Sequence, residues 1–441
     1  MSARAGEKAA LSVLEAMDTE QAYMGQALAK ALHQQQLNGA DRSAAVAYAK
    51  LVVENRQAVD FALGQHTKLN KAGRTVRNIL RLGAARILFG NGADAQAVHG
   101  SVELCKAVGK GTQSKFVNAV LRNVARNKTQ IPWPDEKADP LAFYSVRYSW
   151  PEFAVSEAFD LLGDGAKAFV SYTTPQPVVL RANPNKISAT DLSALFTEQG
   201  MQTAPAPADE RALSVSNAQD LTGLAAYQEG LFSLQGQASM LAARQAFCKT
   251  GLVLDVCAAP GGKSCNIAEQ CPGAEVHAFD LHAHRVSLIK AQAKRLGLSN
   301  ITAARHDATQ PFSQYQNLAD RVLVDAPCSG LGTANHRPDV KWNKKAEDVQ
   351  SLSALQSQIL PSAAKAVKPG GKLIYCTCTF TRQENEAVVA GFLQKNRDFR
   401  LCAPDLPKAF ASAVTQEGFV RLWPQTHHTD GFFICTMEKQ S

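Results

Sequence analysis

The sequence predicts a multidomain chain: an all-α N-terminal domain, a small α/β module, and a larger C-terminal α/β domain whose mostly parallel sheet is covered by helices on both faces. Three observations lead there. The length of 441 residues exceeds one hydrophobic core, which stops growing near about 250–300 residues. The first stretch, to about residue 130, lacks strand-like alternation and is rich in Ala, Leu, Gln and Lys. From about Gln237 onward, short apolar runs closed by polar turns alternate with helical periodicity, the signature of strands threaded through helices.

In the first domain, residues 1–130, Val76, Ile79 and Leu80 share a helical stripe, as do Phe116, Val117, Val120, Leu121 and Val124; such stripes turn toward a core. Ile131-Pro132-Trp133-Pro134 ends it, because two prolines deny helix continuation, and 131–150 reads as a linker. The module, 151–235, opens with a short helical stretch after Tyr148-Ser149-Trp150-Pro151. Within it 178–184 reads as a strand running into a turn, 191–199 as a helix and 200–210 as a loop. The C-terminal domain, 236–441, carries buried-strand runs at 252–256, 276–280, 301–307, 321–325 and 372–376, with helices at 284–296 and 346–367. In a parallel sheet of this kind ligands bind outside the carboxyl ends of the strands, where the polar motifs of this chain gather.

A net charge of +8 and a pI near 8.9 favour polyanions over acidic small molecules. From His66 to Lys128 twelve cations (Lys68, Lys71, Arg74, Arg77, Arg81, Arg86, Lys106, Lys110, Lys115, Arg122, Arg126, Lys128) face two acids, Asp94 and Glu103. On the polar faces of helices that skew reads as a phosphate-binding surface; the plainer reading is solvated surface. The ten cysteines lack zinc-ligand spacing, Cys376-Thr377-Cys378 being too close, so no metal site is expected and a reduced cytoplasm suits them. Met1-Ser2-Ala3-Arg4-Ala5-Gly6-Glu7-Lys8 has no apolar core of signal-peptide type, and no apolar run is long enough to span a bilayer. A soluble, cytoplasmic protein without a membrane partner is expected.

Asp255-Val256-Cys257-Ala258-Ala259-Pro260-Gly261-Gly262-Lys263-Ser264 joins the first strand of the C-terminal domain to a helix. Its glycines let the backbone approach a ligand, and the helix start offers free amides to a carboxylate. It is neither a Walker sequence nor the dinucleotide fingerprint; without a ligand it is a tight strand-to-helix turn. Asp280, closing the next strand, suits ribose hydroxyls. Asp307, closing the third, can meet an adenine amino group, and Asp325, closing the fourth, lies where cofactor and reacting base are both in reach. Any one aspartate reads equally as a cap; three at successive strand ends read as a site.

Cys328, in Asp325-Ala326-Pro327-Cys328-Ser329-Gly330, and Cys378, in Thr377-Cys378-Thr379, follow the fourth and fifth strands and so face one end of the sheet. C5 of cytosine is weakly nucleophilic; a thiolate added at C6 raises its electron density enough to accept a methyl group, chemistry that calls for an activated cysteine. A lone cysteine is ordinarily a small buried apolar residue. The motif settings reverse that ranking here, whereas Cys257, Cys265, Cys271 and Cys376 are no candidates for the nucleophile.

On these motifs the chain resembles the NOL1/NOP2/Sun family of RNA cytosine-5 methyltransferases, in the layout that carries an N-terminal NusB-like domain and acts on 16S rRNA. The resemblance covers nearly the whole length. It implies a NusB-like helical RNA-binding domain, a small RNA-recognition-like module and a Rossmann-like class I methyltransferase domain using S-adenosyl-L-methionine. By the same resemblance Cys378 is the nucleophile, Cys328 assists release of the methylated RNA, Asp325 orients the cytosine near N3, and Lys263 holds that acid and the methionyl end of the cofactor. Cys257, Ala258, Ala259, Pro260, Gly261, Gly262 and Lys263, with Asp280, Asp307 and Asp325, are expected to cradle the cofactor, and Arg285 to support the ribose. The chain departs from the family at Asn335-His336-Arg337-Pro338-Asp339-Val340-Lys341-Trp342, where two positive positions are missing, and at Cys376 and Thr379, where alanine and serine are common. Arg421-Leu422-Trp423-Pro424 and Asp430-Gly431-Phe432-Phe433-Ile434 resemble its closing strands, with Gly431 allowing a sharp turn; His427 and His428 are expected to be exposed turn residues.

The function expected is therefore methyl transfer to C5 of a cytosine in 16S rRNA, free or in a partly assembled small subunit, by a monomer without an obligate protein partner. The competing readings are a tRNA cytosine-5 methyltransferase, which shares the motifs, and a noncatalytic ribosomal RNA-binding or assembly protein, which the paired cysteines disfavour. A DNA enzyme would place its nucleophile in the Pro-Cys motif.

Overall fold

The computed structural model describes residues 5–441 apart from 21, 35, 36, 38, 175, 218 and 219; of the N-terminal stretch read above, residues 1–4 lie outside the described residues. Two compact units emerge, one of residues up to Ser171 together with His336–Lys345, the other of Tyr172–Asn335 and Ala346–Ser441.

The first unit is helical. Arg74–Phe89 and Ser114–Asn127 bury the expected stripes, with Ile79, Leu80, Val117 and Leu121 shielded from solvent, but Phe116 is turned outward and 40% exposed. Its neighbours at i+1, i+4 and i+5 define the inward face, which leaves Phe116 on the flank. Of the twelve cations, Arg81 is not on a polar face at all. It is buried, forked onto Asp60 at 2.8 and 2.7 Å and bonded to Asn78, because helix Arg56–Gly64 supplies a carboxylate that satisfies it. Arg86 is likewise turned inward, 2.7 Å from Glu7. The stretch read as a linker contains the helix Pro140–Tyr148, started by Pro140 and capped by Asp139 on the Ala142 amide at 2.9 Å. Trp133 stacks on Phe61. Helices Glu152–Leu162 and Gly165–Val170 follow, so the unit closes at Ser171 and not near residue 130.

The segment 336–345 packs within this helical unit. Asp339, buried, accepts from the Met24 amide at 3.2 Å; Trp342 donates its indole N–H to Val53 O at 3.2 Å and lies under Arg56; Lys341 donates to Tyr148 O. The loop that departs from the family pattern thus places its aromatic and charged groups in internal contacts.

The second unit begins with a four-stranded antiparallel sheet in the order β2-β3-β1-β4, built from β1 (Val178–Ala182), β2 (Gln202–Pro205), β3 (Ala212–Ser216) and β4 (Phe232–Leu234). Helix Ala189–Glu198 covers it through Leu192 and Phe196. β2 occupies what reads as a loop in the sequence; only Thr203 of its residues is even half-buried, so its apolar pattern is too faint to announce a strand, and pairing with β3 creates it.

The large sheet contains β5 (Thr250–Asp255), β6 (Gly273–Asp280), β7 (Ile301–Arg305), β8 (Ala319–Asp325), β9 (Val367–Thr377), β10 (Phe399–Leu401), β11 (Val420–Leu422) and β12 (Phe432–Lys439). Its order is β10-β12-β9-β8-β5-β6-β7, with β11 paired to β12. β5 to β9 run parallel, and β12 is antiparallel to β9. Both faces are covered: Leu254, Val322, Val324, Leu373 and Tyr375 fill one core, Val253, Val276, Leu323, Ile374 and Ile434 the other. Strands buried on both faces need continuous apolar runs, which is why these were readable. The helix after β8 ends at Ala364, three residues short of expectation, since Val367 already pairs with Ala319. Among the described residues no helix is long and apolar enough to cross a membrane.

Candidate active site

The chain order reverses direction at β5: β6 lies on one side and β8 on the other. Ligand crevices form at such switch points, and the carboxyl ends of β5, β6, β8 and β9 carry the candidate residues. Gly261, with φ +105°, takes a conformation that L side chains rarely adopt; it ends the turn after β5 and lets the helix Gly262–Gln270 begin without a side-chain cap. The first-turn amides of that helix are donors suited to a carboxylate.

Asp255, which sequence reasoning did not single out as a site residue, is fully buried; one carboxylate oxygen accepts from Ser264 Oγ at 2.6 Å and the other makes no well-formed hydrogen bond among the described residues. Burial pushes its carboxyl up to about 7, with the Ser264 bond opposing and the Asp325 charge adding. Asp280, 3% exposed, accepts from the His282 amide at 3.1 Å and pairs with Arg285 at 3.3 Å. Arg285 also donates to Ala259 O at 3.2 Å, tying the second strand end to the glycine turn. Asp307 lies two residues beyond the end of β7, exposed, bonded to Thr309. An amide-bearing helix start, the Asp280 carboxylate at the end of β6 and small Ala258 and Ala259 form a set that fits S-adenosylmethionine: amides for its carboxylate, carboxylate oxygens for its ribose.

Lys263 donates to Asp325 at 2.6 Å. Burial works against its charge, but Asp325 outweighs that and its ammonium is held more firmly than usual. Register sets Asp325 beside Cys376, whose thiol donates to the other Asp325 oxygen at 3.4 Å. Cys376, one of the cysteines set aside as a nucleophile, therefore touches the site, and burial keeps it a thiol. Two residues beyond, the Cys378 sulfur stands 3.3 Å from that of Cys328.

The loops bearing the two cysteines are fixed by Glu384 and Asn385, both fully buried and neither foreseen. Asn385 sits where a helix cap belongs, before Glu386–Lys395, yet makes no cap bond. It accepts from Thr377 Oγ1 at 2.6 Å and donates to Thr379 O at 3.1 Å. In sequence it reads as an ordinary cap, and nothing local distinguishes the two uses. Gly431 is not among the positive-φ glycines. It is required because a Cβ there would meet the Gly332 backbone at 2.9 Å. His427 is half-buried and accepts from the Trp423 amide at 2.9 Å, while His428 is exposed.

Comparison with known proteins matches residues 244–438 to the family model for 16S rRNA methyltransferase RsmB/F and residues 4–126 to the NusB family. The chain is 34% identical to the probable ribosomal RNA small subunit methyltransferase B of Bacillus subtilis, over 98% of each protein. It is 30% identical to the Synechocystis protein of the same description, again over 98% of each. Among solved structures, PH0851 superposes with a TM-score of 0.83 over 99% of both chains at 22% identity, which shows the same fold. The chain belongs to the 16S rRNA methyltransferase RsmB/F family and is an S-adenosylmethionine-dependent rRNA cytosine-C5 methyltransferase, with a NusB-like helical domain before its Rossmann-like one.

Proposed function

We propose that Cys378 is the nucleophile of this reaction and that Cys328 releases the methylated base. The observation that carries the assignment is the 3.3 Å approach of the two sulfurs beyond neighbouring strands. The hydrogen bond to Cys378, and then burial, push the Cys328 thiol well up, so Cys328 holds its proton and serves as the S–H donor of the pair.

As Cys378 adds to C6 of cytosine, the S–C6 bond forms and the C5=C6 pair moves to C5. S-adenosylmethionine, when bound, supplies an electrophilic methyl group on a sulfonium. Once C5 is methylated its proton passes to a base, the pair restores C5=C6, and Cys378 leaves as thiolate. Cys328 suits that base once its own proton has passed to solvent: with Cys378 bonded to C6, the sulfur that accepted from Cys328 and held its proton in place is neutralised, and the Cys328 thiolate can take the C5 proton. Asp325 orients the ring near N3 and Lys263 fixes Asp325. The segment Cys257 to Lys263, with Asp280, Asp307 and Asp325, cradles the cofactor, and Arg285 supports its ribose side.

The cytosine must leave its stack to reach Cys378, which favours a loop or an incompletely assembled 16S rRNA; the protein acts on it in the cytoplasm as a monomer. The helical unit gathers phosphates and the module of β1 to β4 reads a local single strand. The test is incubation of the protein with labelled S-adenosylmethionine and separate pools of unmodified rRNA, tRNA and DNA, then mapping of the labelled base. Label at C5 of an rRNA cytosine is expected; label confined to tRNA would overturn the substrate. With rRNA, Cys328→Ala is expected to accumulate a covalent band that Cys378→Ala lacks, and the opposite pattern would exchange the two roles.

A further inference from the structure

Resting on that reading of the two cysteines, we propose that Glu384 is a positioning residue: one buried carboxylate that clamps the Cys328 loop to the Cys378 loop and so sets how fast the covalent RNA adduct is released after it forms. Glu384 is 0% exposed. One oxygen accepts from the Ser329 amide at 2.7 Å and from Gln356 Nε2 at 3.2 Å; the other accepts from Ser329 Oγ at 2.7 Å and Thr381 Oγ1 at 2.8 Å. Ser329 follows Cys328 directly. Its hydroxyl, having donated to Glu384, accepts from Thr379 Oγ1 at 2.8 Å, and Thr379 follows Cys378 directly. Gln356 gives its second amide hydrogen to Pro327 O at 2.9 Å, on the other side of Cys328. The Glu384 carbonyl is itself fixed by Tyr375 OH at 2.6 Å, from β9, the strand that leads to Cys378.

Four donors therefore converge on one side chain, and all four are neutral. Only an ionised carboxylate offers acceptor sites throughout; an amide of the same shape would turn N–H groups toward the Ser329 amide or the two hydroxyls. A group that merely filled the core would be apolar, since a buried charge without a cation is costly to desolvate. Its position between two loops that each carry a reacting sulfur points to registry of those sulfurs.

The test uses the full-length protein with unmodified 16S rRNA. Glu384→Gln is expected to lower turnover by tenfold or more while S-adenosylmethionine binding, followed by titration calorimetry, stays within twofold. A covalent RNA–protein band should appear although both cysteines are present, because release slows more than attack. In the Cys328→Ala background Glu384→Gln should cause no further loss of turnover beyond that of Cys328→Ala alone. Ser329→Ala, which keeps the amide bond and loses the hydroxyl, should give a smaller effect of the same sign and serves if the first variant does not fold. Wild-type turnover in both variants, or loss of adduct formation in step with release, would overturn the proposal.

Capture of the two thiols by phenylarsine oxide, taken as the difference from a Cys378→Ser control, reads the pairing without any catalysis. It should fall several-fold in Glu384→Gln, and unchanged capture overturns the clamp. If Cys328→Ala alone traps no adduct while Glu384→Gln still loses capture, the assignment of roles to the cysteines fails and the clamp stands.

Discussion

Asp255 shows how one side chain couples the cofactor turn to proton uptake. Its carboxyl is pushed up to about 7 by burial, against an ordinary value of about 3.9. Between those two values the folded protein holds a proton that the unfolded chain has given up. This contribution to stability is complete below about pH 4, falls as pH rises toward 7 and is constant above, amounting to at most ~4 kcal/mol. Asp255→Asn keeps the bond to Ser264 and cannot ionise. The melting temperature of the variant relative to the natural protein should therefore rise from pH 4 to pH 8, measured by thermal melts without ligand; parallel profiles would mean that Asp255 does not titrate in this window.

At the level of elements, the approach of the cysteine loops depends on backbone packing as much as on side chains. The 3-10 turn Leu331–Thr333 follows the Cys328 loop. In it Gly332 donates to Cys378 O at 3.0 Å and accepts from Gly431 N at 2.9 Å. A Cβ on Gly332 would overlap the Gly431 carbonyl and come within 2.9 Å of the Cys378 carbonyl oxygen. Backbone cannot rotate away as a side chain can, so Gly332→Ala should destabilise by about 3 kcal/mol, the upper end of the usual scale of overpacking, and abolish adduct formation. Gly391, inside Glu386–Lys395 with open space around its Cα, is the contrast. Gly391→Ala should leave activity intact and stabilise by up to about 1 kcal/mol through helix propensity. Urea unfolding midpoints of the two variants moving in the same direction would contradict the packing argument.

Across the whole molecule the basic skew of residues 66–128 contains two contrasting groups, besides half-buried Arg77 and the surface pairs Lys106–Glu103 and Lys128–Asp94. Arg81 and Arg86 hold helices together, whereas Lys68, Lys71, Arg74, Lys110, Lys115, Arg122 and Arg126 are exposed and can bind phosphate. Removing one phosphate-binding cation reduces the steepness of log affinity against log salt by about 0.9 on duplex and about 0.7 on single strand. Replacing Lys68, Lys71 and Arg74 by alanine should weaken rRNA binding at low salt and flatten that slope, read by filter binding from low to physiological salt. Arg81→Ala should instead lower the melting temperature, since it removes the guanidinium that forks onto Asp60. An unchanged slope in the triple variant would remove this surface from RNA binding.

Much of the fold and the outline of the site could be read from residue order alone, because both rest on local periodicity. Apolar runs ending in Asp255, Asp280 and Asp325 mark parallel strands buried on both faces, and a polar residue at such an end lies at the sheet edge where ligand crevices form. Val117, Val120, Leu121 and Val124 are neighbours on one helix face whatever surrounds them. Pairing at long range is different. Arg81 and Arg122 are the same residue type on similar helices, and only the presence of Asp60 across the core makes the first internal. β2 became a strand because β3 offered it an edge. Glu384 and Gly332 look like a solvated acid and a turn glycine until β8 and β9 lie side by side, for the Ser329 amide, the Gln356 side chain and the Gly431 carbonyl that give them meaning arrive from about 30 to 100 residues away, where no local pattern reaches.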